Sequence, residues 1–270
     1  MFIRELFAEV PITVSALCGQ GQSNGYPLPP QERFMVPGTD DIWAQADEDS
    51  WYFFLSEIAL RRISDKIAEI VGAFSDETRH PPSNEERSQR TVVEELIPVT
   101  LELERQVHAW REHLPPRMQF PDVPRPAQTE WQQHLRAPYY RVLELLHRPF
   151  VFAAIHHQNP SPMVSMLASK GLDGACTYLL HGHPTHRHHG RFLQLRYELK
   201  ISCILFAASG SNVEMPPGWY EAVQGALRSL RYWQWEAPLY KTYIEVLEAV
   251  DRYFMRDKDP QYTDENHSID

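Results

Sequence analysis

A proline interrupts a run of helical pattern in this chain and restricts how that run can fold. Residues 139–155 read YYRVLELLHRPFVFAAI, and their apolar residues recur at the spacing of one helix face. Pro149 has no backbone N–H, and its ring collides with the carbonyl group four residues earlier. We therefore predict an elbow, in which one helix ends at Arg148 and a second begins with Pro149 at its first position. Arg148 would then donate to the carbonyl groups left open at the first helix end.

Helical spacing also recurs through most of the remaining chain, and no stretch alternates with a period of two for long enough to form a sheet. We predict helices over 50–74, with Ser50 as N-cap, and from Pro98 at a first helical position to the LPP stop at 114–116. Another helix is predicted from the Ser161 cap to Gly182. Three more are predicted over 191–209, 218–234 and 238–256. The clearest apolar stripe consists of Leu96, Val99, Leu103, Val107, Trp110 and Leu114.

These patterns predict an all-α fold of about seven or eight packed helices. The chain divides into an irregular, turn-rich segment over 1–46, a helical domain over 47–256, and a polar tail over 257–270 that is predicted to be disordered. Within the first segment, a short helix over Met1–Glu9 stays open as an alternative.

Charge and cysteine content exclude several classes of function. The formal net charge is −10, which opposes tight binding of DNA phosphates. Cys18, Cys176 and Cys203 are widely separated, so they predict neither a disulfide framework nor a cysteine-rich zinc site. No stretch approaches the roughly 20 apolar residues that span a bilayer. We expect a soluble intracellular protein without membrane contact.

Signatures of known enzyme classes are missing from the sequence, which contains no G-x-S-x-G, G-x-G-x-x-G, P-loop or H-E-x-x-H motif. The paired carboxylates Glu94 with Glu95, and Glu102 with Glu104, are interpreted as solvated faces of helices. Cys176 and Cys203 fall on apolar faces, where cysteine packs as a small hydrophobic residue. We therefore predict no catalytic residues and no cofactor.

The stretch HGHPTHRHHG, from His181 to Gly190, holds five of the 13 histidines and raises the question of a metal site. A structural zinc site needs about four ligands with fixed spacing, whereas the glycines and the proline here indicate a loop between helices. A solvated loop is favoured, and no bound metal is predicted.

Three segments occur in an order that resembles the fungal-specific transcription factor domain, the regulatory region of fungal zinc-cluster regulators. They read WYFFLSEIALRRI (51–63), HAWREHLPP (108–116) and YYRVLELLHRPFVFAAI (139–155), and the last contains the L-x-RPF signature at Leu146–Phe150. The resemblance covers residues 47–209 and extends more loosely to 256. It implies an all-helical, non-enzymatic domain that modulates transcription in the nucleus.

The chain departs from that family at the DNA-contacting module, which carries six cysteines that bind two zinc ions. Three dispersed cysteines cannot form it. The chain is similar to the regulatory part alone, either as a fragment of a longer regulator or as a stand-alone protein. The resemblance implies protein partners, among them other regulators or a second copy, and in some members a small-molecule effector. We expect no direct DNA contact. No localisation signal is evident, so the cytoplasm stays open beside the nucleus.

An alternative function is a helical small-molecule carrier or enzyme that uses a pocket lined by C-terminal aromatic residues. Core packing is the favoured interpretation of these rings. Titratable residues that converge inside a cavity, for example His147 or His156 facing a buried carboxylate, would favour the alternative. The aromatic residues concerned are Trp219, Tyr220, Tyr232, Trp233, Trp235, Tyr240, Tyr243, Tyr253 and Phe254.

Overall fold

The computed structural model describes residues 40–79, 89–157, 159–181 and 190–258. Within these ranges the chain forms seven helices and no strand, which confirms the all-α prediction. The segment over 1–39, the histidine-rich stretch over 182–189 and the tail over 259–270 lie outside the described residues. The helices are α1 (Asp40–Arg79), α2 (Gln89–Glu112), α3 (Glu130–His156), α4 (Pro162–His181), α5 (Arg191–Ser209), α6 (Trp219–Trp233) and α7 (Pro238–Lys258).

Helix α1 begins ten residues before the predicted N-cap, so Ser50 lies inside the helix and the capping prediction is wrong. Asp49 Oδ2 pairs with Arg117 Nη1 at 3.1 Å and joins this early part of α1 to the connector between α2 and α3. Helical structure therefore includes residues 40–46, which the sequence assigned to the irregular segment.

Helix α2 contains Pro98 in its interior, not at its first position as predicted. Val92 and Val93 are buried and fix the turns before the proline. Pro98 and Glu94 are both exposed, so water can replace the N–H donor that the Glu94 carbonyl loses. The predicted apolar stripe is buried at Leu103, Val107, Trp110 and Leu114.

Helix α3 is continuous through Pro138 and Pro149, so the predicted elbow is wrong. Arg148 does not cap a helix end; its side chain pairs with Glu144 one turn earlier on the same helix. Phe150 and Val151 are buried immediately after the proline. Burial on both sides of Pro149 offsets the roughly 3 kcal/mol that an interior proline costs.

Two hydrophobic cores meet along α3. The first, which we call the α1–α3 core, is drawn from α1, α2, the connector after α2 and the half of α3 that ends at Leu146. The second, the α3–α7 core, is drawn mainly from α3 from Phe150 onward together with α4 to α7. The L-x-RPF stretch therefore spans the junction between the two cores.

Helices α3 and α4 approach closely because α4 places glycines at the contact. A Cβ atom added at Gly171 would lie 2.8 Å from Val151 Cγ2 and 3.0 Å from His147 Cβ. At Gly174 the added atom would lie 3.4 Å from the backbone nitrogen of Glu144. The start of α4 is as predicted, since Ser161 Oγ accepts from Val164 N–H at 3.5 Å.

Candidate functional site

A band of charged side chains lies on α3 at the junction of the two cores. Glu144, His147 and Arg148 are almost completely buried, and they lie among the core residues Leu146 and Phe150. Charged residues are rarely buried unless they are paired. The buried charges of this band therefore require partners in the surrounding helices.

The first part of the band is a buried ion pair joined to α5. Arg148 donates through Nε at 2.9 Å and Nη2 at 2.6 Å to the two carboxylate oxygens of Glu144. The Tyr197 hydroxyl donates a very short hydrogen bond to the same carboxylate. Burial opposes ionisation of Glu144, but Arg148 and the Tyr197 hydroxyl outweigh it and lower the pKa of that carboxyl. The Glu144 carboxylate is thus paired with a cation on one side and hydrogen-bonded on the other.

The second part of the band joins α3 to α2 and α4 through Glu104. Lys170 Nζ lies 2.7 Å and 2.9 Å from the two oxygens of this carboxylate. His147 Nε2 lies 3.5 Å from Glu104 Oε1. His108 Nε2 lies 3.8 Å from the same oxygen, and its Nδ1 lies 2.9 Å from the Tyr139 hydroxyl. Three helices therefore meet at one carboxylate.

The hydrogen bonds of His147 decide which ring nitrogen carries its proton. Nδ1 lies 2.8 Å from the Leu143 carbonyl, which can only accept, so Nδ1–H is the donor. In the neutral ring, Nε2 is then a lone pair that faces Glu104. Burial lowers the pKa of His147, while Glu104 and the Leu143 carbonyl raise it and Lys170 and His108 lower it further. Lys170 already neutralises Glu104, so a neutral His147 fits the cluster.

The neutral state of His147 predicts a pH-dependent stability. The unfolded ring takes up a proton near its ordinary pKa of 6.5, whereas the folded ring resists protonation until a lower pH. Unfolding free energy should therefore fall as pH drops from 6.5 towards the folded pKa. We expect the wild type to lose up to about 1.4 kcal/mol per pH unit more than His147→Gln in this window. Urea unfolding at a series of pH values measures the difference.

His156 provides the matched control, because it lies on the same helix but is exposed, and its Nδ1 bonds to the Phe152 carbonyl at 2.9 Å. His156→Gln should keep the wild-type pH dependence. Equal slopes for the wild type and His147→Gln would show that the buried ring contributes nothing to it.

The sequence-based interpretation of the carboxylates is correct for one member of the second pair and wrong for the other. Glu102 is exposed and pairs with Arg105 on the surface of α2. Glu104 is only 7% exposed, because Lys170 and His147 approach it from other helices. Cys176 and Cys203 are buried as expected, and burial raises the pKa of their thiols to about 11 and about 12.

The two histidines named for the alternative function differ in environment. His147 faces the buried carboxylate of Glu104, whereas His156 lies on the surface. Sequence reasoning missed Glu144, Lys170 and Tyr197. The four-residue spacing of Glu144 and Arg148 was the one available signal, since that spacing places both side chains on one helix face.

The C-terminal aromatic residues divide between core and surface. Trp219 and Tyr220 pack with Phe254 against the α3–α7 core, as the core interpretation predicts. Tyr232, Trp235 and Tyr253 are instead exposed, at 69%, 68% and 76%. These nine rings therefore do not all serve one role.

No protein-family model matches this chain, and comparisons with curated proteins and with solved structures likewise find no match. Within the described ranges, no three side chains of histidine, cysteine, aspartate or glutamate lie close enough together to hold a metal ion. No helix in the described part of the chain has the length and apolar character needed to cross a membrane.

Proposed function

We propose that this chain is a non-enzymatic helical regulatory domain of the kind found in fungal zinc-cluster transcription factors, acting in the nucleus through protein partners. One observation carries the proposal: the three segments of the resemblance converge on Trp110. Its indole Nε1–H donates to the Ser56 carbonyl at 2.9 Å, and its ring stacks on Tyr139 with centroids 6.3 Å apart. Segments 51–63, 108–116 and 139–155 thus meet at one side chain.

This convergence supports the proposal because it gives the ordered segments a common physical role. A tryptophan that contacts two other helices fixes their relative position, and aromatic pairs add stability beyond the area they bury. The L-x-RPF signature has a comparable role at the junction of the two cores, where Arg148 and Phe150 are both buried. Segments that position helices in this way belong to a common scaffold, and their occurrence does not require a common catalytic reaction.

The burial of His147 and Glu144 supports a non-enzymatic role. An acid or base must reach the proton that it transfers to or from a substrate. His147 is 1% exposed and lies beneath Gly171 of α4, and Glu144 is enclosed by Arg148 and Tyr197. These groups stabilise the contacts among α2, α3, α4 and α5, and they offer no surface to a substrate.

Exposed aromatic residues support action through partners. Tyr232 lies at the end of α6, and Trp235 lies in the turn that leads from α6 to α7. Tyrosine and tryptophan are enriched at protein interfaces, where they contribute much of the binding energy. We propose that this turn contributes to the contact with another regulator or with a second copy of the chain.

A reporter assay tests the proposal. The full chain is fused to a heterologous DNA-binding module, and reporter output is compared with that of the module alone. We expect a change in output, as activation or repression, that the double variant Tyr232→Ala and Trp235→Ala brings back towards the baseline. Arg105→Ala, which alters an exposed charge on α2, should retain the effect. Output equal to the baseline for the wild-type fusion would contradict the proposal.

A second candidate function, a helical small-molecule-binding protein, is favoured by one observation. The guanidinium group of Arg136 is buried beneath the connector between α2 and α3, and among the described residues no acceptor pairs with its Nε–Nη2 edge. The two candidates predict different results. The second predicts that the purified chain binds a ligand and that its fusion has no effect on the reporter.

A further inference from the structure

The connector between α2 and α3, over residues 113–129, lies on a short polar row of α3. Gln132 Nε2 donates to the Gln119 carbonyl at 2.9 Å, and Gln128 N–H donates to Gln132 Oε1 at 2.8 Å. One turn later, Arg136 Nη1 donates to the Arg125 carbonyl at 2.7 Å. These bonds account for how an irregular segment is held against the helix.

Arg136 uses only part of its hydrogen-bonding capacity in this contact. The residue is 2% exposed, and among the described residues no acceptor lies within hydrogen-bonding distance of its Nε or Nη2. These two atoms form the edge that Arg148, twelve positions later on the same helix, uses to bind both oxygens of Glu144. Arg136 thus presents a carboxylate-binding edge without a carboxylate.

Within the described ranges, no carboxylate pairs with the free edge of this guanidinium. Asp122, in the same connector, pairs with Arg111 Nη2 at 2.6 Å and is largely exposed. Guanidinium groups keep their charge in proteins, whereas a buried lysine can lose its proton. A buried unpaired charge is strongly destabilising. An anion that supplied two oxygens to the free edge would remove most of that cost.

We propose that the Nε–Nη2 edge of Arg136 binds one small oxyanion, the phosphate or carboxylate group of a metabolite, beneath the connector. Guanidinium groups bind both kinds of anion in this two-bond geometry. The edge is too deeply buried for the surface of a macromolecule. A small ligand requires movement of the exposed part of the connector around Arg125, which bonds to Arg136. The inference goes beyond the regulatory role proposed above, and it names the class of ligand for the second candidate function.

Titration of the purified full-length chain with inorganic phosphate and, separately, with acetate at constant ionic strength tests the inference. The readout is the 1H–15N signal of the Arg136 Nε–H, assigned by its loss in Arg136→Lys. We expect this signal to shift in a saturable manner. Arg136→Lys keeps the charge but loses the two-bond edge, and should bind roughly tenfold to a hundredfold more weakly by calorimetry. Tighter binding of phosphate would assign a phosphate ester, and tighter binding of acetate a carboxylate.

Arg105→Lys, an equivalent change at an exposed arginine of α2, is the matched control and should leave the affinity unchanged. The inference is overturned if neither anion shifts the Arg136 signal at millimolar concentration, or if Arg136→Lys binds as tightly as the wild type. This measurement does not depend on transcription. A negative binding result therefore does not affect the reporter result, and a negative reporter result does not affect the binding result.

Discussion

Replacement of Arg148 by alanine is expected to lower the unfolding free energy by about 3–5 kcal/mol, because it leaves the Glu144 carboxylate buried without its cation. The two side chains are only 2% and 3% exposed, so water cannot take the place of the lost guanidinium. Tyr197 would remain as a hydrogen-bond donor to Glu144, but it carries no compensating charge. Urea unfolding followed by circular dichroism measures the loss.

The exposed pair Arg105–Glu102 is the control for this effect. Arg105 Nε and Nη2 bind Glu102 with the same two-bond geometry, at 2.9 Å and 2.7 Å. Hydrogen bonds from Arg105 and Gln106 lower the pKa of Glu102 to about 2, yet the pair lies in solvent, which screens it. Arg105→Ala should therefore leave the unfolding midpoint unchanged within error.

A double variant keeps the prediction testable if Arg148→Ala does not fold. Glu144→Met with Arg148→Met removes both charges and fills a similar volume, and such replacements are often neutral or stabilising. It should be more stable than Arg148→Ala by several kcal/mol. If Arg148→Ala and Arg105→Ala proved equally stable, the buried pair would have no special role in this fold.

Apolar spacing predicted the C-terminal helices closely, because their apolar residues recur at regular helical intervals. Helix α5 spans Arg191–Ser209 as predicted, and α6 and α7 differ from prediction by one or two residues at their ends. The predicted helix boundaries were wrong where tertiary contacts outweighed the local preference of proline for a helix start. Pro98 and Pro149 were interpreted as helix starts, but buried residues on both sides keep each helix continuous.

The charged band could not be predicted, because its members come from distant parts of the chain. Glu104 and Lys170 are separated by 66 positions, and Glu144 and Tyr197 by 53. Along α2 alone, Glu104 is indistinguishable from Glu102, and only the approach of α3 and α4 buries one and leaves the other in solvent. Helical period indicates which residues share a face, but it does not indicate which polar face another helix covers.

Replacement of Gly171 by alanine is expected to destabilise the chain, although alanine is the better helix former. The new Cβ would lie 2.8 Å from Val151 Cγ2 and 3.0 Å from His147 Cβ, so α3 and α4 must separate. Overpacking of this kind costs about 1–3 kcal/mol. Gly72→Ala is the matched control, because no atom lies within 4 Å of its added Cβ, and it should stabilise the chain by about 0.5–1 kcal/mol.

The Gly171→Ala substitution should also alter the charged band, because Gly171 follows Lys170 directly. Separation of α4 from α3 would draw the Lys170 ammonium, now 2.7 Å from Glu104 Oε1, away from that carboxylate. Glu104 would then lose its neutralising cation and favour a protonated His147, which raises the pKa of the ring. The pH dependence of unfolding for Gly171→Ala should therefore be shallower than for the wild type, whereas Gly72→Ala should keep it. A wild-type slope in Gly171→Ala would mean that the helix contact and the ionisation of His147 are independent.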